Sequence, residues 1–494
     1  MPIKWIHKPF LFLIIAAVML GIFKTATSRC ISNDAVTFLE FSDQLHTNPG
    51  TAIRTYDQHP GYPTLVWVAQ KCMGLWTENL TLEQQILSGQ LVTGICKIIT
   101  LAVLYRLFGR FGPPKTALIH AFLVLLIPVY AENGGDALSD WPCLMFMATA
   151  LLLYMDGIRT YKPLCFILSG IASGLAYLIR PEGAFVVIVA GFYFMLHLLQ
   201  KPRQRVPALK CLLMMILAAA LFAAPYMVYK GSLLPKKILN SNRDKTVQAQ
   251  QTAPVSETIK NSDNALRQPV RCGLLPDIFK GLLRFVDKIA NVIYLLIVPI
   301  SATIYYKLRR FSKLDMHDQV LTIFLVVWFG LLMWLYCYAE YISHRHIMPF
   351  VIFSMAWCCK GVALLARRCT RDIDKRRRIA SVFIMIAIAV FIPKLIRPAH
   401  ADKAHYKALG IWLNKNTPQD TRLGVFDNRI GFYAQRTYKI RRRPIEADYF
   451  IVRKNSDDAV FLPTNAPKLE TGIESVDQAI DIYQLTARRP TPSQ

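Results

Sequence analysis

The chain has 494 residues, 53% of them hydrophobic, with a mean hydropathy of +0.31. Charged residues make up 18%, against about 25% in soluble globular proteins, which excludes an ordinary soluble domain and predicts an all-α polytopic membrane protein. The net charge of +26 does not mark a nucleic-acid binder, because many basic residues sit in short segments between apolar runs and no basic, aromatic-interleaved module is present.

The first apolar run, 9–24, follows a basic start. "KTATSRC" after it is a weak match to a signal-peptide cleavage site, so the run reads as an uncleaved span. Next comes "CISNDAVTFLEFSDQL", an amphipathic helix with Phe38, Phe41 and Leu45 on one stripe. Asn33-Asp34 stands at its capping position, and Glu40 and Asp43 fall on its solvated face. "DQHPGYP" turns the chain back toward the membrane and places His59 at the rim of a cavity. The apolar piece 62–76 carries a lysine and reads as interfacial. Further spans are expected at 86–108, 115–132, 138–156, 162–179, 183–200, 208–229, 284–306, 318–338, 347–366 and 379–396, about eleven in all with the first. Most cysteines lie inside these runs as small buried hydrophobes, and none has zinc-site spacing.

Sidedness follows from lysine and arginine in short loops. "RLFGRFGPPK", "DGIRTYKP", "KPRQRVPALK", "KLRRFSK" and "ARRCTRDIDKRRR" form one basic set and are assigned to the cytoplasm. The N-terminus is then cytoplasmic. Segments 25–85, 131–140, 180–183, 230–283 and 339–346 lie outside, with the tail from 397. The compact loops suggest a multi-pass protein of a bacterial inner membrane. In the tail, "KALGIWLNKN" reads as a helix, and "RLGVFD", "DYFIVRK" and "DIYQLTA" read as strands. The expected organisation is a transmembrane domain, 1–396, with a first outer loop at 25–85 and a large outer loop at 230–283. A small extracytoplasmic α/β domain, 397–494, follows it.

The chemically unusual residues converge on the outer face. They are Asp34 and His59, Asp136 and Asp140 in "GGDALSDWP", Arg180 and Glu182 in "LIRPEG", and Tyr341, His344, Arg345 and His346 in "YAEYISHRH". Each has a local reading: Asp34 and Asp140 as helix caps, "RPEG" as a tight turn, "HPGYP" as a kinked loop, Arg345 as a snorkelling side chain. Capping and turn formation alone would scatter such residues over both faces. Their shared side favours a site for an anionic, polar substrate at a membrane surface.

In this order the motifs resemble the GT-C glycosyltransferases, in the branch that includes protein O-mannosyltransferases and the lipid A aminoarabinose transferase (glycosyltransferase family 39-like). The resemblance covers nearly the whole chain. It implies a hexosyl- or pentosyltransferase with a polyprenyl-phosphate-linked sugar as donor and an extracytoplasmic lipid, glycan or protein as acceptor. It implies Asp34 as general base and Asp140 beside it for acceptor orientation or charge stabilisation. Arg345 and Arg180 are then the groups that hold the phosphate, with His59, His344, Tyr341, Lys236 and Lys237 as further substrate contacts, and Glu182 orients Arg180 or a sugar hydroxyl. The chemistry suits these residue types. An acceptor needs a carboxylate to take its proton, and a departing phosphate needs a charged fork. Where many relatives carry two adjacent acids, this chain has Asn33-Asp34, so transfer without a metal is expected, with a divalent site through Asp43 or Asp140 left open. No nucleotide motif is present and no cofactor or nucleic-acid partner is expected; membrane lipids are. The alternative is a transporter or flippase of a lipid-linked saccharide, which internal repeats would favour; none is visible. A non-catalytic assembly factor is a third reading.

Overall fold

The computed structural model describes residues 8–75, 80–200, 205–231, 274–440, 447–454 and 467–485. In chain order the helices are α1 (Lys8–Thr27), α2 (Asn33–Thr47), α3 (Pro49–Thr55), α4 (Gly61–Gly74), α5 (Leu82–Phe108), α6 (Pro114–Leu126), α7 (Pro128–Asn133), α8 (Asp140–Thr160), α9 (Pro163–Ile179), α10 (Phe185–Gln200) and α11 (Arg205–Lys230). They continue with α12 (Leu274–Ile293), α13 (Ile297–Arg309), α14 (Met316–Ala339), α15 (Met348–Ser354), α16 (Cys358–Cys369), α17 (Ile373–Ile396), α18 (Ala404–Asn416) and α19 (Asn428–Ala434).

Among the described residues, eight helical stretches are long and apolar enough to cross a membrane, and three shorter apolar helices lie at Pro114–Leu126, Pro163–Ile179 and Pro181–Leu196. All eleven coincide with runs expected from hydropathy. The protein is a multi-pass membrane protein. The interfacial piece is α4, which carries Lys71 in its last turn. Several helices begin on the proline that the sequence supplies (Pro114, Pro128, Pro163), where a missing N–H does no harm.

Packing follows side-chain size. On α9, Gly170 and Gly174 let the α11 backbone approach so closely that a Cβ on either would lie 2.2 Å from Met215 O or 2.7 Å from Ala219 O. Small residues at such crossings replace the hydrophobic drive that lipid cannot provide. The bundle core is centred on α5, α8, α9 and α14 and holds the fully buried Trp141, Trp328 and Trp357.

A separate small core lies beyond α17, built from Tyr406, Leu409 and Leu413 of α18 against Leu423, Val425, Ile451 and Ile482. These come from a five-stranded sheet: β1 (Arg422–Val425), β2 (Thr437–Ile440), β3 (Tyr449–Arg453), β4 (Lys468–Leu469) and β5 (Ile480–Gln484), in the order β2-β1-β3-β5-β4. β1 is parallel to β2 and β3, and β5 is antiparallel to β3 and β4. The helix and the three strands expected in the tail are present. β2, β4 and α19 were not expected; β2 and β4 are only four and two residues long.

This domain sits on α2. Tyr433 Oη accepts from Ile31 N at 3.2 Å, and Lys407 Nζ lies 2.9 Å from Glu83 Oε1. Tyr438 Oη donates to Glu40. Glu40 is therefore half-buried against the domain, which corrects its assignment to a solvated face; Asp43 is exposed.

Candidate active site

Helix α2 is capped by Ser32, not by Asn33-Asp34. The Ser32 backbone is extended and its hydroxyl accepts from Ala35 N at 3.2 Å. Serine takes the cap because its short side chain reaches back to the free amides of the first turn. The consequence is chemical: Asp34, one residue inside the helix, has no capping duty. Its carboxylate is 56% exposed and receives a hydrogen bond from Arg345 Nη1. The stripe below it anchors the helix, with Phe38 edge-on to Tyr62 at 5.0 Å and Phe41 stacked on Tyr56 at 4.5 Å.

Asp140 opens α8 and also caps nothing. Its oxygens are divided between two arginines: Arg180 Nη1 donates to Oδ1 at 2.5 Å and Arg345 Nε donates to Oδ2 at 2.7 Å. Only 3% of its side chain is exposed. Arg180 ends α9 because Pro181 follows, which disfavours helical backbone at the preceding residue; its φ and ψ are −152° and 143°. The chain then makes a short 3-10 turn, with Gly183 N bonded to Arg180 O at 2.8 Å. Gly183 is required there: a Cβ would lie 2.1 Å from the carbonyl carbon of Ala176. The turn folds Glu182 back onto Arg180, with Nη2 3.2 Å from Oε1 and Nε 3.4 Å from Oε2.

Arg345 comes from the turn after α14. Glu340 terminates that helix in the left-handed region (φ 51°). Met348 N bonds to Arg345 O at 3.2 Å, and Trp328 Nε1 donates to His346 O at 3.1 Å. The result is one continuous row of charges, Asp34–Arg345–Asp140–Arg180–Glu182, assembled from four separate parts of the chain. Beside it lies a narrow cleft lined by Asp140, Arg180, Glu182, Arg345 and His346 over an apolar floor that includes Met147 and Trp328.

The other expected residues fall elsewhere. His59 is buried, with Nδ1 2.7 Å from Tyr177 O and its ring packed on Tyr177 and Tyr226. Nδ1 must carry the proton to donate to a carbonyl. Burial pushes the His59 pKa down to about 4, so the ring is neutral. It ties the His-Pro-Gly turn to α9 and does not line the cleft. His344 is half-buried beside Lys288, Asp287 and Arg284 of α12, and its Nδ1 has no hydrogen-bond partner among the described residues. Tyr341 is 59% exposed, with its ring edge-on to His346 at 5.6 Å. Lys236 and Lys237 lie outside the described residues.

Two residues named in the motifs but given no role prove central. His346, not His344, faces Arg180, Glu182, Asp140 and Arg345, and burial holds its pKa below the ordinary histidine value. Asp136 is 1% exposed and holds three elements together. In sequence His344 and His346 are equivalent; only the turn geometry separates them.

Residues 59–229 match a family model described as dolichyl-phosphate-mannose-protein mannosyltransferase. That stretch includes Asp140, Arg180 and Glu182, but neither Asp34 nor Arg345. No curated protein sequence matches the chain. Among solved structures, ArnT from Cupriavidus metallidurans bound to undecaprenyl phosphate is similar with a TM-score of 0.63 at 11% identity, covering 97% of this chain and 98% of that one. The Archaeoglobus fulgidus oligosaccharyltransferase in complex with zinc and sulfate has a TM-score of 0.60 at 14% identity and covers 86% of this chain. The oligosaccharyltransferase AglB from the same archaeon, in complex with an inhibitory peptide and a dolichol-phosphate, has a TM-score of 0.58 at 14% identity and covers 87% of this chain. This chain spans 62% and 64% of the length of those two archaeal chains. The chain shares its fold with ArnT and the archaeal oligosaccharyltransferase, as the motif order implied.

Proposed function

We propose that the protein is a membrane glycosyltransferase that moves a sugar from a polyprenyl-phosphate donor to an acceptor outside the cytoplasm. The observation that carries this reading is the sharing of Arg345 between an exposed acid, Asp34, and a buried one, Asp140. An arginine so placed is held ready for a phosphate while keeping a carboxylate at the mouth of the cleft. The family matched over 59–229 and the undecaprenyl phosphate bound by ArnT support the donor class.

In the proposed step, an acceptor hydroxyl or amine enters beside Asp34, whose carboxylate takes its proton. The acceptor atom bonds to the anomeric carbon as the bond from that carbon to the phosphate oxygen breaks. Positive charge develops on the sugar ring, and the electron pair leaves with the polyprenyl phosphate. The phosphate draws Arg345 away from Asp34 and frees the base, while Asp140 keeps the guanidinium within reach. Arg180, oriented by Glu182, supplies the second fork. The row itself holds three carboxylates and two guanidiniums, so it needs more positive charge to accept a phosphate. Arg284 and Lys288 beside His344 supply it in this scheme, with Lys236 and Lys237 assigned the same task. His346 is the neutral hydrogen-bonding wall of the cleft. His59 acts indirectly, by fixing the turn that carries α4. Asp34 and Asp140 each face an arginine, and the scheme places the leaving charge on arginine.

The transmembrane portion, 1–396, is the catalytic domain in this scheme, and 397–494 is an outer cover over α2. The site is assigned to the outer face of a bacterial inner membrane, with the N-terminus in the cytoplasm. The row lies beside the sheet domain, while the basic turns around Arg110, Arg159 and Arg309 lie at the opposite helix ends. The test is comparison of cell-envelope glycolipids and glycoproteins, by mass spectrometry, from cells with and without the protein. One acceptor lacking a hexose or pentose supports the proposal and names both substrates; identical profiles count against it.

A further inference from the structure

Asp136 is a buried acid that the scheme above leaves unused. Its Oδ1 accepts from Ala137 N at 2.8 Å, and its Oδ2 accepts from Ser32 N at 3.0 Å and pairs with His400 Nε2 at 3.1 Å. Ser32 caps the helix that carries Asp34. Ala137 lies in the turn that delivers Asp140. His400 is in the lead into the sheet domain, held in the left-handed region with φ 52°. The same lead runs along the start of the chain: Lys24 Nζ donates to Arg397 O at 2.8 Å, and Arg29 N to Ala399 O at 3.1 Å.

We infer that Asp136 and His400 are positioning residues, a buried pin through which the C-terminal domain sets the helix bearing Asp34 against the turn bearing Asp140. The inference rests on the transferase reading but makes its own claim: the domain acts on the reaction through Ser32 rather than by touching substrate. A carboxylate with three partners fixes its elements more tightly than a single contact, and misplacing a reacting group by about 1 Å costs up to about a hundredfold in rate.

The electrostatics agree. Burial lowers the basicity of His400, but the hydrogen bond and charge of Asp136 outweigh it and raise its pKa above the ordinary histidine value; Glu132 adds to the rise and Arg429 opposes it. Burial would raise the Asp136 carboxyl, and the bonds from His400, Ser32 and Ala137 instead hold it below its ordinary value. A histidine raised on folding contributes stability that is complete below its unfolded pKa and lost as pH rises through the folded value. The pin therefore weakens on the alkaline side.

The test uses the full-length protein in nanodiscs as wild type, Asp136→Ala, His400→Ala and His400→Gln, with a polyprenyl-phosphate sugar as donor. The expected result is a kcat about ten- to a hundredfold lower in both alanine variants, with KM for the donor within about twofold, and recovery in His400→Gln, whose amide still donates to Asp136. An alanine variant with wild-type kcat, or a loss confined to KM, overturns the inference. Hydrogen exchange of residues 30–37 is the second readout and needs no activity. It should be faster in both alanine variants and near wild type in His400→Gln; unchanged exchange in all of them also overturns the inference. A wild type without transferase activity but with this exchange pattern defeats the transferase reading and leaves the pin standing.

Discussion

Replacing Asp140 by Asn keeps the shape of the site and removes one charge from its centre. The carboxylate has 3% of its side chain exposed and meets Arg180 and Arg345, which are 18% and 23% exposed, at 2.5 and 2.7 Å. Breaking a buried ion pair by removing one partner destabilises by about 3–5 kcal/mol. The low end applies, because Arg180 retains Glu182 and Arg345 retains Asp34. A loss of about 3 kcal/mol is therefore expected. It should appear as a lower thermal midpoint in detergent, together with loss of sugar transfer. The coupling is measured by a double-mutant cycle with Arg345→Gln. Because the first substitution already strands the arginine, the second should cost less in its presence, by about 1–3 kcal/mol. If Asp140→Asn melts and transfers as wild type does, or if the two substitutions simply add, the charge row does not organise this site.

Two other outcomes follow from the geometry. His59 is neutral and buried with a pKa of about 4, against an ordinary 6.5. A histidine depressed on folding contributes stability that is present above 6.5 and lost as pH falls toward 4, up to about 3 kcal/mol over that window. The thermal midpoint should fall on acidification from pH 6.5 to 4, and His59→Asn should flatten that dependence while lowering the midpoint at neutral pH; a pH slope identical to wild type refutes it. Gly183→Ala places a Cβ 2.1 Å from Ala176 C and 2.4 Å from its O. Backbone must move, at about 1–3 kcal/mol or more, and Arg180 moves with it; transfer should fall sharply, and a fully active Gly183→Ala shows that the turn is not rigid.

Much of this architecture was readable in the chain because membranes enforce simple rules. A run of apolar residues must be helical and long enough to span, so the eleven runs were visible without any knowledge of packing. The acids and arginines stood out because ionisable side chains are rare beside lipid and need partners. Their pairing was not readable. Asp34 and Arg345 are 311 residues apart, and Asp140 and Arg345 are 205 apart; no local pattern encodes which acid an arginine meets. The smaller misjudgements have the same origin. Ser32 and Asn33 are both good caps, and the Asp136 that holds Ser32 N comes 104 residues later. Glu40 looked solvated because Tyr438, which covers it, arrives 398 residues later. His59 was expected at the cavity rim, and its ring instead serves Tyr177.

In the proposed transfer from a polyprenyl-phosphate sugar, Asp34 is the base. Its carboxylate is 56% exposed, so its ion pair with Arg345 is worth under about 1 kcal/mol, and Asp34→Asn should fold and melt nearly as wild type does. The direct measurement is release of polyprenyl phosphate and appearance of sugar on the acceptor, followed together with purified wild type and Asp34→Asn in nanodiscs. Equal amounts of the two products are expected with wild type, and a rate about 10²–10⁴-fold lower with a well-folded Asp34→Asn. Lipid-linked sugar that crosses the bilayer intact, without bond cleavage, or a well-folded Asp34→Asn that transfers at the wild-type rate, would contradict this scheme.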